Sequence, residues 1–391
     1  MQRRREGRSG PGATSREANH RAVLESLALE GPRSRADLGR TLGISAASVS
    51  RVVDGLLAAA LVAEGARVAA RIGRPQTLLN VNPDAAVVVG ASVRSRLVRL
   101  MLAGLDGRPL HRVAVERAAG PPEALVRQLR GLLTEAHAAH APWREVGAVV
   151  VGLSGAWDAD RRRVHAAPNL PDYEGVDLAA VLQAGLGDLV VGGTIDLDND
   201  INLAALGERA HGAARGVDDF FYLSLGAGVG GAAVVGGQLH RGVHGLAGEL
   251  GYLPVEVDGV LRPLEEVVGR RALERVVTET GALGEGDDVF AHLAHARGDE
   301  DAVARHVSRY LAPALVAIVT TFDPRLVVLG GGAGRYSDAW TAHVRTHLER
   351  LVPRVPRIVS TDLGRDASLL GAVVWGTALA RTALLAARVS G

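Results

Sequence analysis

The sequence predicts an α/β protein built from a small helical head and a larger two-lobed body. Three observations carry that prediction. Helix-period segments with recognisable caps fill residues 16 to 59, and from Val87 onward strand-like apolar runs alternate with helical ones. Two of those runs, Phe220–Leu225 and Leu326–Leu329, each enter a glycine cluster, at 226–231 and 330–332. At 391 residues the chain exceeds one compact core of ordinary size. The expected division is a disordered basic tail over 1–15, a head over 16–82, a first lobe over 85–200 and a second over 201–368. Residues 369–388 should form a C-terminal helix.

In the head, Ala22, Val23, Leu27 and Leu29 fall near helical spacing, and Gly31-Pro32 stops them. Ser34-Arg35-Ala36-Asp37 reads as a capping box: Ser34 caps a helix that runs to Leu42, and the Asp37 carboxylate reaches back. Gly43 supplies the turn, and Ser45 caps a third helix from Ala46 to about Ala59. Leu38, Leu42, Ile44, Val49 and Val52 stand where a helix-turn-helix buries its two helices against each other. Beyond it Leu61-Val62 is strand-like, Glu64 to Arg71 turns, and Thr77–Val81 returns as the second strand of a wing.

A winged helix-turn-helix reads double-stranded DNA; the alternative is a helical protein-docking module. The reading helix would present Ser45, Ala46, Ala47, Ser48, Ser50 and Arg51. Small side chains admit it to the major groove, and Arg51 can pair with guanine or phosphate. Arg67, Arg71 and Arg74 would contact phosphate or the minor groove from the wing. Charge agrees with this placement. Residues 1–80 hold 13 Arg against 7 acidic side chains, a net +6 that leaves −5 for the remainder. A basic head on a mildly acidic body suits a polyanion at one end only.

In the body, Val87–Gly90 and Leu97–Leu102 read as buried strands, joined to a return strand ending at Val115 by the hairpin turn Leu105-Asp106-Gly107-Arg108. A helix over Pro122–Ala139 leads to another buried strand, Val146–Leu153. Opening on hairpins makes the sheet mixed, and the repeated strand-to-glycine pattern predicts two related lobes with a cleft between them. Asp158-Ala159-Asp160 followed by Arg161-Arg162-Arg163 reads as an exposed hairpin tip.

Composition narrows the classes further. Every basic residue is arginine, and cysteine is absent, which excludes a disulfide framework, a thiolate metal site and a cysteine nucleophile. Residues 1–12 are basic and rich in Gly and Pro but lack the apolar stretch of a signal peptide. The apolar run Leu369–Ala380 ends at Arg381, short of the roughly 20 residues that span a bilayer, so a packed helix is expected there. A soluble, cytoplasmic protein with no membrane partner is the expectation.

Beside the winged head, the body carries Ala167-Pro168-Asn169-Leu170, Asp198-Asn199-Asp200, the glycine loop 226–231, Arg241-Gly242 and Gly248-Glu249-Leu250-Gly251. In this combination, which spans almost the whole chain, the sequence resembles the ROK family. That family groups transcriptional repressors and sugar kinases on an actin-like, ribonuclease H-like two-lobed fold, and the resemblance implies that the C-terminal helix over 369–388 packs back across the first lobe. In its kinases the first strand enters an Asp-x-Gly-Gly-Thr loop that cradles phosphate. The resemblance puts that loop on Ser92-Val93-Arg94-Ser95-Arg96: Ser92 stands for the Asp, Arg94 and Ser95 for the two Gly, Arg96 for the Thr. Side chains at the Gly positions bar phosphate from the backbone, and the carboxylate that would organise Mg²⁺ is gone. The second glycine loop carries Ala227 in place of the family's usual hydroxyl. The implication is a protein that is not an enzyme.

On the sugar side, the resemblance puts Asn169, Asn199, Asp200, Glu249 and Glu265 at positions that hydrogen-bond sugar hydroxyls. Amides and carboxylates suit partners that both donate and accept. Asp200 falls on the kinases' general base. The alternative for Asn199 and Asp200 is to cap the helix that follows, Ile201 to Ala210. The family's zinc site, one His and three Cys, is not kept. Tyr252 stands at the His position, where its hydroxyl can meet the ligand, and Pro263 stands at the last Cys. His240 and His244 lie in a glycine-rich loop, so no metal and no cofactor is expected.

The implied function is a transcriptional regulator, in the first instance a repressor, acting as a homodimer or dimer of dimers. A sugar or sugar derivative in a non-catalytic cleft would control its affinity for operator DNA. The alternatives are a sugar kinase with an appended DNA-binding head, and a regulator that answers to a protein partner.

Overall fold

Caps and apolar stripes account for the head in the computed structural model, which describes residues 15–68, 75–142, 144–167, 169–280, 288–290, 292, 302–334 and 340–389. Helices α1 (Ser15–Glu30), α2 (Arg35–Leu42) and α3 (Ala46–Ala58) form its core. Ser34 caps α2 in a full capping box with Asp37, Gly43 (φ +66°) turns the chain, and Ser45 caps α3. Strands β1 (Arg33–Ser34), β2 (Val62–Val68) and β3 (Gln76–Val81) make an antiparallel sheet in the order β1–β3–β2. This is the winged helix-turn-helix arrangement. The first wing strand runs further than expected: Glu64 to Val68 is paired rather than turned, with Arg67 opposite Thr77. Its outer half buries almost nothing, so ladder hydrogen bonds extend it where no apolar alternation announces a strand. Residues 1–14, expected as a tail, and Arg71 and Arg74 lie outside the described residues; Ser15 already belongs to α1.

The first lobe contains β4 (Val87–Val93), β5 (Leu97–Gly104), β6 (Pro109–Glu116), α4 (Pro122–His140), β7 (Val146–Leu153), β8 (Ala156–Asp158), β9 (Arg163–His165), α5 (Leu178–Leu186) and β10 (Val190–Asn199). Its sheet runs β10–β7–β4–β5–β6, with antiparallel hairpins at one side and parallel β4, β7 and β10 at the other. Helix α6 (Asp200–His211) leads to the second lobe, which holds β11 (Phe220–Leu225), β12 (Val229–Val235), β13 (Gln238–His240), β14 (Pro254–Val257), β15 (Val260–Pro263), α7 (Leu264–Val268), α8 (Arg270–Thr280), a long helix Ala302–Phe322, β16 (Leu326–Gly330) and β17 (Arg357–Ser360). Its sheet, β13–β12–β11–β16–β17, repeats the strand order and pairing senses of the first. The two sheets are therefore one topology used twice, the actin-like plan.

The C-terminal helix, Ala367–Val389, lies across the first sheet. It crosses α6 at Gly207 and Gly371, where a Cβ on either residue would strike the other helix's backbone, at Ala367 O and Leu203 O respectively. Both this helix and Ala302–Phe322 are long and apolar enough to cross a membrane, yet each buries an apolar face within the protein, through Leu369, Val373 and Ala380 in one and Val307, Leu311 and Leu315 in the other. The C-terminal helix continues past the apolar run, where half-buried Arg381 directs Nη1 to Leu105 O at 3.4 Å. Its last turns place Ala380, Leu384 and Leu385 in one hydrophobic cluster with Val23, Leu27, Leu56 and Leu61 of the head and Ala86 and Val88 of the body. Head and body share a core.

Candidate ligand cleft and nucleic-acid face

The cleft is built where strand ends of the two lobes meet. On the second-lobe side, Gly248 (φ +93°) lets the chain turn against β12, with Gly231 N donating to Gly248 O at 2.7 Å. A Cβ at Gly248 would strike the Gly231 carbonyl, so only glycine permits this seat. The turn presents Glu249 and Tyr252, the latter 63% exposed. Glu265, in the first turn of α7, accepts Val229 N at 3.0 Å and fills the space beside Gly228. Gly226 N donates to Gly228 O and Arg270 N to Gly226 O, so this glycine loop spends polar groups on its own fold and holds a carboxylate against its backbone.

On the first-lobe side, Asn199 ends β10 and caps α6. Its side-chain oxygen accepts Ile201 N at 2.7 Å and Asn202 N at 3.4 Å, and its nitrogen donates to Gly155 O at 2.8 Å. Both halves of the amide are thereby occupied within the protein. Asp200, the first helical residue, is freed from capping and stands at the cleft. The carboxylate oxygen nearest Arg94 lies 3.6 Å from Nη2 of that residue, whose side chain is 47% exposed. Ser92 closes β4 with its side chain buried, and Arg94 N donates to Leu97 O at 2.9 Å, so the segment Ser92 to Arg96 is a tight hairpin end. Asn169 is exposed.

Burial and like-charge repulsion act on the acidic groups of the cleft. Burial, then Glu265 and Asp200, push the Glu249 carboxyl up to about 7, with His165 opposing. Burial also raises Asp200, against the pull of Arg94. Tyr252 is raised by partial burial and by Glu249, Glu265 and Glu174. Glu249 and Tyr252 line an open cavity of about 560 Å³ with His165, Ala166, Glu174 and Leu246. His165 and Glu174 carried no signal in the sequence: neither lies in a motif. The hairpin β8–β9 brings in His165, and Glu174, which follows the turn at Pro171–Tyr173, accepts Ala167 N at 3.2 Å. Asp158, read as part of an exposed tip, is instead buried, accepts Arg161 N at 2.9 Å and lies 3.6 Å from His244 of the second lobe.

On the head, Ala46, Ala47 and Arg51 are exposed at the start of α3, while Val49, Val52, Val53 and Leu56 form its buried stripe. Ser45 Oγ accepts Ser48 N at 3.3 Å and donates to Ser48 Oγ at 3.0 Å. Arg51 Nη2 lies 3.4 Å from the same Ser48 hydroxyl, which lays the guanidinium along the outer face. Ser50 is half-buried, and its carbonyl accepts Arg35 Nη1 at 3.2 Å. Arg67 is exposed on β2.

Relatives agree with this geometry. A putative xylose repressor from Caldicellulosiruptor sp. is 25% identical over 86% of this chain and 88% of its own length. The glucokinase of Thermotoga maritima is 28% identical over 73% of this chain and 95% of its own. A bifunctional enzyme NanE/NanK from Brucella suis is 33% identical over 46% of this chain, and the match spans only 34% of that longer protein. A crystal structure of a ROK family transcriptional regulator, a homolog of the E. coli MLC protein, superposes with a TM-score of 0.79 at 21% identity. That overlay covers 96% of this chain and 99% of the other, a likeness of fold that extends through the head. The ROK family pattern itself matches residues 88–378, which hold both sheets and every cleft carboxylate named above, and the chain belongs to the ROK family.

Proposed function

We propose that this protein is a sequence-specific DNA-binding regulator, a repressor, whose operator affinity is set by a sugar or sugar derivative in the cleft. The observation that carries this reading is Arg94. By the family resemblance it falls in the segment of the kinases' phosphate loop, and its guanidinium lies 3.6 Å from Asp200, the carboxylate that the same resemblance puts at the kinases' base position. A base paired with arginine and a loop without glycine support hydroxyl recognition without phosphoryl transfer. Asp200, Glu249, Glu265, Tyr252 and Asn169 would hold the ligand, with Asn199 setting the position of Asp200. Ala46, Ala47, Ser48, Ser50 and Arg51 would face the major groove and Arg67 the backbone. A cytoplasmic homodimer or dimer of dimers would place two heads on two half-sites.

The glucokinase likeness favours a second reading, a sugar kinase with a DNA-binding head. One pair of assays separates the two. DNA fragments enriched on the full chain are challenged with a panel of free pentoses and hexoses, and the same sugars are incubated with ATP and Mg²⁺. Sugar-dependent release of DNA without sugar phosphate formation is the expected outcome. ATP-dependent phosphorylation would replace the regulator with the kinase, and DNA binding indifferent to every sugar would remove the effector.

A further inference from the structure

Residues 241–249 leave β13 in the second lobe and lie as a strap across the first. His165 Nε2 is 2.9 Å from His244 O, His244 Nδ1 is 3.6 Å from the Asp158 carboxylate, and Gly245 rests on the Trp157 backbone. One end of the strap carries Leu246 and Glu249 into the cleft. At the other end Arg241 donates through Nε at 2.8 Å and Nη2 at 2.7 Å to one oxygen of Asp198, which is only 5% exposed. The second Asp198 oxygen accepts Asn199 N and Asn202 Nδ2, both at 2.8 Å. The Arg241 guanidinium also lies over the Trp375 ring, 5.2 Å from its centroid, and Trp375 Nε1 donates to Asp196 at 2.8 Å.

Trp375 belongs to the C-terminal helix, and that helix reaches the head. Leu384 and Leu385 enter the head's core, and Arg388 donates to Ala59 O, at the end of α3, at 3.4 Å and to Ala85 O at 3.2 Å. Packed elements of this kind move as bodies rather than deform. The glycine crossing ties the C-terminal helix to α6, whose first residue is Asp200.

We propose that Arg241 and Trp375 are positioning residues that join the cleft to the head: displacement of the strap re-seats the C-terminal helix, whose last turns set how α3 is presented. The proposal rests on the reading of the cleft as a ligand site and α3 as a DNA face. Its test needs neither ligand nor DNA. Amide hydrogen exchange is followed along the full chain in the wild type, Trp375→Phe and Arg241→Lys. Trp375→Phe removes the donor to Asp196 and keeps a ring, and Arg241→Lys keeps a charge on Asp198 and loses the fork.

Each variant should exchange roughly tenfold faster in residues 241–249, in the last turns of the C-terminal helix and at Leu56–Leu61, with α4 and β6 at wild-type rates. Acceleration confined to the strap, or spread evenly through α4 and β6, would overturn the joint. Wild-type binding of DNA and of sugars is measured separately. Its failure would defeat the functional reading while the exchange pattern still judges the joint.

Discussion

Glu249 is partly buried beside Glu265 and Asp200, and burial first, then their charges, disfavour its ionised form. Its folded value of about 7 lies above the ordinary 4.5, so the native state holds the proton more tightly than the unfolded chain. The contribution of this group is therefore full below about 4.5 and is lost as pH rises toward about 7. Glu249→Gln should remove that slope and stabilise the protein by about 1–2 kcal/mol above pH 7, a figure reduced for its partial exposure. Urea titrations at pH 5 and pH 8 check it; equal gains at both values would show that ionisation of this carboxyl is not the cause. On the head, Arg51→Ala should weaken preferred DNA by about 1–3 kcal/mol and blunt base discrimination, whereas Arg67→Ala should weaken preferred and random DNA alike. Competition binding at fixed salt separates the two, and an Arg51→Ala protein with unchanged preference would take that residue off the base edges. At this scale the motifs showed Asp200, Glu249 and Glu265 but not their neighbours. His165 and Glu174 join the cleft, and Arg94 meets Asp200, only because hairpins and strand ends from distant segments converge.

Among the elements, those with end signals were the legible ones. Ser34 with Asp37, Gly43 and Ser45 announced α2 and α3 to within a residue, and unbroken apolar runs announced β4, β7 and β11. Strand β10 was not foreseen: Val190–Asn199 begins Val-Val-Gly-Gly, and only the short alternation Thr194-Ile195-Asp196-Leu197-Asp198 carries a strand period. Its strand state is imposed by parallel pairing with β7. The junction of β10 with α6 divides two roles that the sequence left as alternatives, because the cap falls on Asn199 and not on Asp200. Asn199→Ala should cost about 1–2 kcal/mol, from the lost cap and the Gly155 carbonyl left without its donor. Asp200→Ala should leave the melting temperature nearly unchanged and abolish the response of DNA binding to sugar. Melting and sugar-dependent release measured on both variants decide this, and an Asp200→Ala protein that still releases DNA would exclude that carboxylate from the ligand.

For the whole molecule, duplicated topology was readable from two strand-to-glycine runs, whereas the fit between layers was not. The crossing of α6 with the C-terminal helix depends on Gly207 and Gly371, which look ordinary in a glycine-rich sequence. Gly371→Ala should cost about 1–3 kcal/mol, seen as a lower urea midpoint, because two helix backbones must part. An unchanged midpoint would mean that the helices already stand further apart. The core common to head and body has a consequence for synthesis. Val23, Leu27 and Leu56 leave the ribosome early, but Ala380, Leu384 and Leu385, which complete their cluster, follow roughly 300 residues later, a delay on the order of 15–60 s. During that interval the nascent head carries an unfinished apolar face. A premature stop just before Leu384 would yield a chain that keeps every residue of α3 and the wing yet cannot close the core behind them.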